Sequence, residues 1–114
     1  MPYLKVITNQ TSRENNTLLK ESSELVSDLL GKPETYVMID IRHNPDMLFA
    51  GSSEPLAYLE LKSLGLDPEQ NQTGKLSESL CKLITKHLEI EANRIYIEFS
   101  APERKMWGWD GRTF

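Results

Sequence analysis

Pro2-Tyr3-Leu4-Lys5-Val6-Ile7-Thr8 opens the chain, and Tyr36-Val37-Met38-Ile39-Asp40-Ile41-Arg42 follows it after a segment of helical length. In the second stretch Val37, Ile39 and Ile41 alternate with the remaining side chains, which is the period of a β-strand. The first stretch is an apolar run that is also typical of a strand. The two stretches therefore predict a strand–helix–strand unit at the start of the chain.

The segment between the two strands has the signals of a helix. Thr11 and Glu14 match a capping box, in which the two residues satisfy each other's free backbone amides. Gly31 suits the left-handed conformation that ends many helices, and Pro33 prevents the helix from resuming. The apolar residues of this segment share one helical face; they are Leu18, Leu19, Leu25, Val26, Leu29 and Leu30.

The same order of elements recurs in the second half of the chain. A strand is predicted over residues 56–61, and a helix is predicted to start at Asp67-Pro68, with proline in its first turn. A last main strand is predicted over residues 94–99, and a short edge strand around Trp107-Gly108-Trp109. The apolar face of the second helix comprises Leu76, Leu80, Leu83, Ile84 and Leu88.

Two such units predict an α+β fold with two βαβ repeats, in which a four-stranded mixed sheet has both helices on one face. Crossovers between parallel strands share one hand, so the two helices cannot lie on opposite faces. The other face is then uncovered, and it is expected to display Tyr36, Met38, Tyr58, Tyr96 and other side chains of mixed polarity. Such a surface favours self-association, and residues 1–114 are expected to form one domain.

Composition and charge narrow the functional classes. The chain has 114 residues, 39% of them hydrophobic and 26% charged, which is ordinary for a globular domain. A net charge of -4 argues against nucleic-acid binding, and no apolar run has the length of a membrane span. Cys81 is the sole cysteine, so no internal disulfide can form. The N-terminus lacks the features of a signal peptide, so a cytoplasmic location is expected, with non-classical release left open.

Pro2 is the first candidate for a chemical role. Aminopeptidases generally remove an initiator methionine that precedes a small residue, so the mature chain is expected to begin with Pro2. An α-amino group has a reference pKa of about 8, and burial or a nearby cation lowers it. A base whose pKa lies near the working pH is well suited to proton transfer. Taken alone, however, Met1-Pro2 fits simple processing equally well.

Several short motifs in register give the chain a family resemblance. Together they are similar to the macrophage migration inhibitory factor family of the tautomerase superfamily, over essentially the whole chain. The resemblance implies a homotrimer of double βαβ subunits and keto–enol tautomerisation of phenylpyruvate-like acids, with dopachrome isomerisation as a related activity and no cofactor. The motifs are Pro2, Gly31-Lys32-Pro33, Gly51-Ser52-Ser53-Glu54-Pro55, Ser63-Leu64-Gly65, Arg94-Ile95-Tyr96-Ile97 and Gly108-Trp109 with Thr113-Phe114.

The resemblance also implies roles for individual residues. Pro2 would be the general base, and Lys32 would lower the pKa of its amine and bind the carboxylate of an aromatic 2-oxo acid. The backbone amide of Leu64 would contact the substrate. Tyr96 and Glu98 would come from the neighbouring subunit. The aromatic rim of the pocket would comprise Tyr36, Trp109 and Phe114.

Most of these candidate residues also have a simpler structural interpretation. Without the resemblance, Lys32 is more simply a cation near a helix C-terminus, and Tyr36 and Tyr96 are more simply packing residues. His43 and His87 have no partner at metal or triad spacing, so both are expected to be surface groups. Ser52-Ser53 is expected to serve a turn, and no metal site is expected.

The chain departs from the pattern of the family in one segment and at two single positions, of which one is Lys62 in place of a histidine near the pocket. Its best-known members have a Cys-x-x-Cys pair where this chain has Leu56-Ala57-Tyr58-Leu59, so thiol oxidoreductase chemistry is not expected. Glu98 stands in the place of the usual asparagine and would alter the charge around Pro2.

The sequence is compatible with three functions. The main interpretation is a cofactor-free tautomerase for aromatic 2-oxo acids. The second is a secreted cytokine-like or host-mimicking binding protein with incidental activity, whose receptor is unknown. The third is a related decarboxylase of the same superfamily, in which an arginine would be expected as the main carboxylate-binding residue where this chain has Lys32.

Overall fold

The computed structural model describes all 114 residues and contains the two repeats that the sequence predicts. Strand β1 and helix α1 begin the first repeat, and strand β3 and helix α2 begin the second. A small hairpin follows the second repeat. The elements are β1 (Tyr3–Thr8), α1 (Asn15–Leu30), β2 (Met38–His43), β3 (Ala57–Lys62), α2 (Gln72–Leu88), β4 (Ile95–Ser100), β5 (Gly108–Trp109) and β6 (Arg112–Thr113).

The four main strands form one mixed sheet in the order β2-β1-β3-β4. Strand β1 runs parallel to β2 and antiparallel to β3, and β3 runs parallel to β4. Val6 lies opposite Ile41 on one side and Leu59 on the other, which sets the register across the centre of the sheet. The predicted α+β class and strand arrangement are thus confirmed.

The hydrophobic core lies between the sheet and the two helices. Alternate residues of the central strands point toward the helices, as the period of two requires. Each fully buried aliphatic side chain of this kind contributes about 1.5–3 kcal/mol through the hydrophobic effect. The fully buried core residues include Leu4 and Val6 of β1, Leu59 and Leu61 of β3, Leu18 and Val26 of α1, and Leu80 and Ile84 of α2.

The opposite face of the sheet is open in a single chain. Met38 and Tyr96 are each 66% exposed on it. Between them the face is charged: the Lys5 ammonium lies 3.3 Å from the Glu60 carboxylate. The open face predicted from the sequence is therefore present, and its side chains are of mixed polarity, as expected.

Both predicted helix starts are wrong in detail. Helix α1 begins at Asn15, after Glu14, and no side chain caps it. The expected capping box is absent; instead the hydroxyl of Ser12 accepts a 3.0 Å hydrogen bond from the amide of Glu14. The Asp67 carboxylate accepts from the amide of Glu69, but it caps a separate 3₁₀ helix, Pro68–Gln70, rather than α2.

The starts of three strands also differ from the prediction. Tyr36 does not belong to β2 and lies in a 3₁₀ helix, Glu34–Tyr36, because the hydrogen bonds of that turn run back to Pro33 and Glu34. Arg94 likewise ends a 3₁₀ helix just before β4. Strand β3 starts one residue later than expected.

The tail forms a hairpin rather than one edge strand. Strands β5 and β6 pair antiparallel, with Trp109 opposite Arg112. The amide of Phe114 donates hydrogen bonds to the carbonyl oxygens of Arg104 (3.2 Å) and Trp107 (3.3 Å). These bonds fold the C-terminal residue back onto a 3₁₀ helix, Arg104–Met106. Neither α-helix of the fold is long and apolar enough to cross a membrane.

Candidate active site

The N-terminus lies at the mouth of a cavity of about 420 Å³. Pro2 precedes β1, and its carbonyl oxygen accepts a 3.0 Å hydrogen bond from the amide of Met38, which fixes the chain where β1 meets β2. The Pro2 ring is buried, whereas Met1 is half-buried. The cavity is lined by Met1, Lys32, Pro33, Tyr36, Leu64, Gly65, Arg104 and Phe114.

Lys32 is placed at this cavity by the end of helix α1. Gly31 adopts the left-handed conformation (φ 63°), as its sequence position predicts, and turns the chain away from the helix. The amide of Lys32 donates to the carbonyl of Ser27 at 3.1 Å, and the Ser27 hydroxyl donates back to the Lys32 carbonyl at 2.6 Å. With its backbone held at both ends, the Lys32 side chain crosses to the turn after β3 and donates a 2.8 Å hydrogen bond to the Leu64 carbonyl.

The terminal amine beside Lys32 has a lowered pKa. Burial is the main cause, and the charge and hydrogen bond of Lys32 add to it, so the pKa of the Met1 amine falls from 8.0 to about 6. At neutral pH most of this amine is therefore unprotonated and able to accept a proton. Removal of Met1 leaves the Pro2 nitrogen as the terminal amine, one residue closer to β1.

Aromatic side chains form the wall opposite the turn. The rings of Tyr36 and Trp109 meet edge to face with centroids 5.3 Å apart. Trp109 is also stacked on Phe114, with centroids 6.1 Å apart and an interplanar angle of 20°. Tyr36 and Phe114 line the cavity and Trp109 supports both. The structure thus brings together the three aromatic residues that were predicted as a rim.

Tyr96 and Glu98 lie elsewhere in the chain. The Tyr96 ring packs against Phe49, with centroids 4.6 Å apart, and does not line the cavity at the N-terminus. The Glu98 carboxylate accepts a 2.7 Å hydrogen bond from the hydroxyl of Tyr58, and this bond is the main cause of the raised pKa of Tyr58. A single chain therefore does not bring these two residues to Pro2.

Arg104 was missed as a site residue by sequence reasoning, as were Pro33 and Gly65. Pro33 and Gly65 flank Lys32 and Leu64, so their motifs already marked the region. Arg104 had no such signal, because it reaches the cavity only through the fold of the tail, where its carbonyl accepts from Phe114.

His87 was expected to be a surface group, and this prediction is wrong. Its side chain is only 5% exposed, so it is not a surface group, and its Nε2 forms a hydrogen bond with a carboxylate oxygen of Glu21. The contact joins α2 to α1 on the helical side of the molecule, away from the cavity. His43 is exposed, as expected.

The remaining candidates from the sequence are structural. Ser52 serves its turn, since its hydroxyl accepts from the amide of Glu54 at 3.1 Å. Cys81 is partly buried in α2, and that burial raises the pKa of its thiol. No group of three or more His, Cys, Asp or Glu side chains is placed to hold a metal ion.

Comparisons with known proteins point to one family. The family model "Macrophage migration inhibitory factor (MIF)" matches residues 1–114. The macrophage migration inhibitory factor homolog of Brugia malayi is 39% identical over 116 residues, covering 100% of this chain and 99% of the relative. The corresponding factor of Xenopus tropicalis is 37% identical over 117 residues, with 100% and 99% covered.

Solved structures agree with the sequence relatives. The macrophage migration inhibitory factor homologue of Prochlorococcus marinus superposes with a TM-score of 0.92 at 39% identity, covering 98% of each chain. The factor of Toxoplasma gondii superposes with a TM-score of 0.90 at 30% identity, covering 98% of this chain and 99% of that one. The likeness extends over the whole fold.

Proposed function

Since the chain belongs to the macrophage migration inhibitory factor family, whose fold is the tautomerase fold, we propose that it is a cofactor-independent keto–enol tautomerase. The proposed substrates are aromatic 2-oxo acids such as phenylpyruvate, and Pro2 is the general base once Met1 is removed. The observation that best supports this is the half-buried amine of Met1 beside Lys32, whose pKa is lowered to about 6 at the place where the Pro2 nitrogen would become the terminal amine.

The chemistry needs one group that both takes and returns a proton. The neutral Pro2 nitrogen removes a proton from the carbon beside the ketone, and the electron pair of that C–H bond forms the double bond of the enolate. The resulting ammonium then gives the proton to the enolate oxygen, which yields the enol and restores the neutral amine. A base with a pKa near neutrality is effective in both directions.

Lys32 has two functions in this scheme. Its charge opposes protonation of the amine, and its ammonium retains donors beyond the one used on Leu64 for a substrate carboxylate. The amide of Leu64 is the proposed backbone contact to the same substrate. The hydrogen bond between Lys32 and Leu64 supports this assignment because it holds the two groups at the same end of the cavity.

The aromatic wall accounts for the substrate class. Tyr36 and Phe114 line the cavity, and the stacked Trp109 supports them, so a flat ring can pack against their faces. Since Tyr36 and Phe114 bring two aromatic rings to the lining, we propose that the phenyl group lies here and the 2-oxo acid end lies at Lys32.

A homotrimer is the proposed active form. The open sheet face with exposed Met38 and Tyr96 favours association. Tyr96 and Glu98 do not reach the cavity of their own chain, so we propose that they complete the cavity of a neighbouring subunit. The proposed enzyme therefore has three sites, each built at a boundary between two subunits.

The test is phenylpyruvate turnover by the protein whose intact mass shows loss of Met1. We expect turnover, and we expect it to fall by roughly 10²–10⁴ in Pro2→Gly and in a protein with an N-terminal extension, with both still folded. Full activity in the extended protein would contradict a role for the terminal amine. Absence of turnover in the processed protein would reject the proposed activity.

A second candidate function is cytokine-like signalling or host mimicry. It is favoured by the names of the relatives, which are macrophage migration inhibitory factors in Xenopus tropicalis and a homolog in Brugia malayi. A macrophage migration assay separates the two proposals. An effect that Pro2→Gly retains would show signalling that does not need the tautomerase site, and no effect from the processed protein would reject it.

A further inference from the structure

The cavity at the N-terminus has an unusual balance of charge. Lys32 and Arg104 both line it, no Asp or Glu side chain does, and the terminal carboxylate of Phe114 is the one anionic group that the lining residues bring. The whole chain, by contrast, has a net charge of -4. A cationic cavity in an anionic protein attracts anionic ligands and does so more strongly for those with a larger negative charge.

The side chain of Arg104 is available to bind a ligand. Its guanidinium takes part in none of the ion pairs or side-chain hydrogen bonds of the structure. Arg42 is paired with Asp40 at 2.8 Å, and Arg94 donates to four backbone carbonyls. Arg104 therefore keeps all of its donors for a ligand.

The two cations are attached to different parts of the cavity lining. Lys32 is tied to the Leu64 carbonyl, and it is the charged side chain that lowers the pKa of the terminal amine. Arg104 is tied through its backbone to Phe114, a member of the aromatic wall. A substrate whose 2-oxo acid end lies at Lys32 and whose ring packs on Phe114 would thus carry its ring into the part of the lining to which Arg104 belongs.

We propose that Arg104 binds a second anionic group on the ring of the substrate, so that the site prefers aromatic 2-oxo acids that are dianionic. This inference rests on the proposed tautomerase function and adds the substrate class to it. Arg104 is a specificity-determining residue in this account, and it plays no part in the proton transfer.

The chemistry of arginine suits this role. Its planar guanidinium offers paired N–H donors that match a carboxylate in bidentate fashion, which a lysine cannot do. Because Arg104 is exposed, the contact is weakened by salt. Because it is remote from the reacting carbon, it acts equally in the ground state and the transition state, and its effect falls on KM rather than kcat.

The experiment compares phenylpyruvate with 4-carboxyphenylpyruvate, which differs by one ring carboxylate. We expect wild type to have the lower KM for the carboxylated substrate. In Arg104→Gln the advantage of the carboxylated substrate, measured as the ratio of the two KM values, should shrink by about fivefold at low salt. The value of kcat should not change, and the KM for phenylpyruvate should change little. Arg104→Lys should retain part of the advantage. Lys105→Gln is the matched control, since it removes the same charge from the same 3₁₀ helix without lining the cavity.

Three results would overturn the inference. They are an equal KM for the two substrates in wild type, an advantage that Arg104→Gln retains, and an equal loss in Lys105→Gln. A binding measurement separates this inference from the proposed activity. If neither substrate turns over, titration with terephthalate and benzoate by NMR still decides it: tighter binding of terephthalate that depends on Arg104 supports the second anion site, and equal binding rejects it.

Discussion

The ammonium of Lys32 donates a 2.8 Å hydrogen bond to the carbonyl oxygen of Leu64. This bond connects the end of α1 in the first repeat with the turn after β3 in the second. It holds a positive charge beside the terminal amine, where burial alone already disfavours the ammonium. The fold thus joins its two repeats at the point where the proposed base needs a cation.

Lys32→Met should move the acidic limb of the rate profile to higher pH. The Lys32 charge lowers the pKa of the amine, so its removal raises that pKa toward 8.0 and leaves less neutral base below pH 7. Turnover of phenylpyruvate between pH 5 and 9 checks this. Lys75→Met, an exposed change on α2, is the control and should leave the limb in place. A limb that stays in place, or moves to lower pH, would show that Lys32 does not lower the pKa of the base.

Mixed trimers should regain activity lost in two separate variants. Pro2→Gly lacks the base, and Tyr96→Ala lacks the residue that a neighbour is proposed to supply. When the two chains are unfolded together and refolded, some sites combine an intact Pro2 with an intact Tyr96. We expect turnover above the sum of the two variants, in a particle of three times 13.1 kDa by sedimentation. A fully active monomer, or no recovery in a mixed trimer, would contradict shared sites.

Glu98→Asn should move the acidic limb to lower pH by about half to one unit after screening by solvent and salt. An ionised Glu98 supplied by a neighbouring subunit would stabilise the ammonium form of the base and repel the substrate carboxylate. Tyr58→Phe is an informative companion, since it removes the 2.7 Å hydrogen bond that holds Glu98 in one chain. A limb that stays in place in both variants would mean that the carboxylate does not reach the base.

Glu21→Gln should lower stability at pH 7 and have little effect at low pH. The hydrogen bond from His87 is the main cause of the lowered pKa of Glu21. Its contribution to stability is therefore present above its ordinary pKa of 4.5 and is lost as pH falls through the lower, folded-state value. Urea unfolding at both pH values measures this. Glu24→Gln, an exposed change on the same helix, should be neutral at both. An equal loss at both pH values would contradict the linkage.

Periodicity made the main elements predictable. Ile39 and Ile41 of β2 alternate as a strand requires, and Leu76 and Leu80 of α2 share a helical face, because burial on one side imposes those spacings. The boundaries were not predictable in the same way. Strand β2 starts at Met38 because its amide bonds to the carbonyl of Pro2, and that tertiary contact leaves no local pattern.

The site was predictable only in part. The Gly31 turn can be recognised locally, so the position of Lys32 just after a helix followed from the sequence, but its link to Leu64 required the fold. Arg104 and His87 were misjudged for the same physical reason. Each owes its environment to packing between distant segments, the folded tail for Arg104 and the contact of α1 with α2 for His87.

The most direct test of the central claim is the titration of the Pro2 nitrogen itself. In protein labelled with ¹⁵N-proline and freed of Met1, Pro2 is the only proline of the six whose nitrogen is an amine, so its NMR signal alone reports protonation. We predict a midpoint well below 8, because the burial and the Lys32 charge that lower the pKa of the Met1 amine should act in the same direction on the Pro2 nitrogen, and we expect it to coincide with the acidic limb of phenylpyruvate turnover. A midpoint of about 8, or one that differs from the limb, would contradict Pro2 as the base.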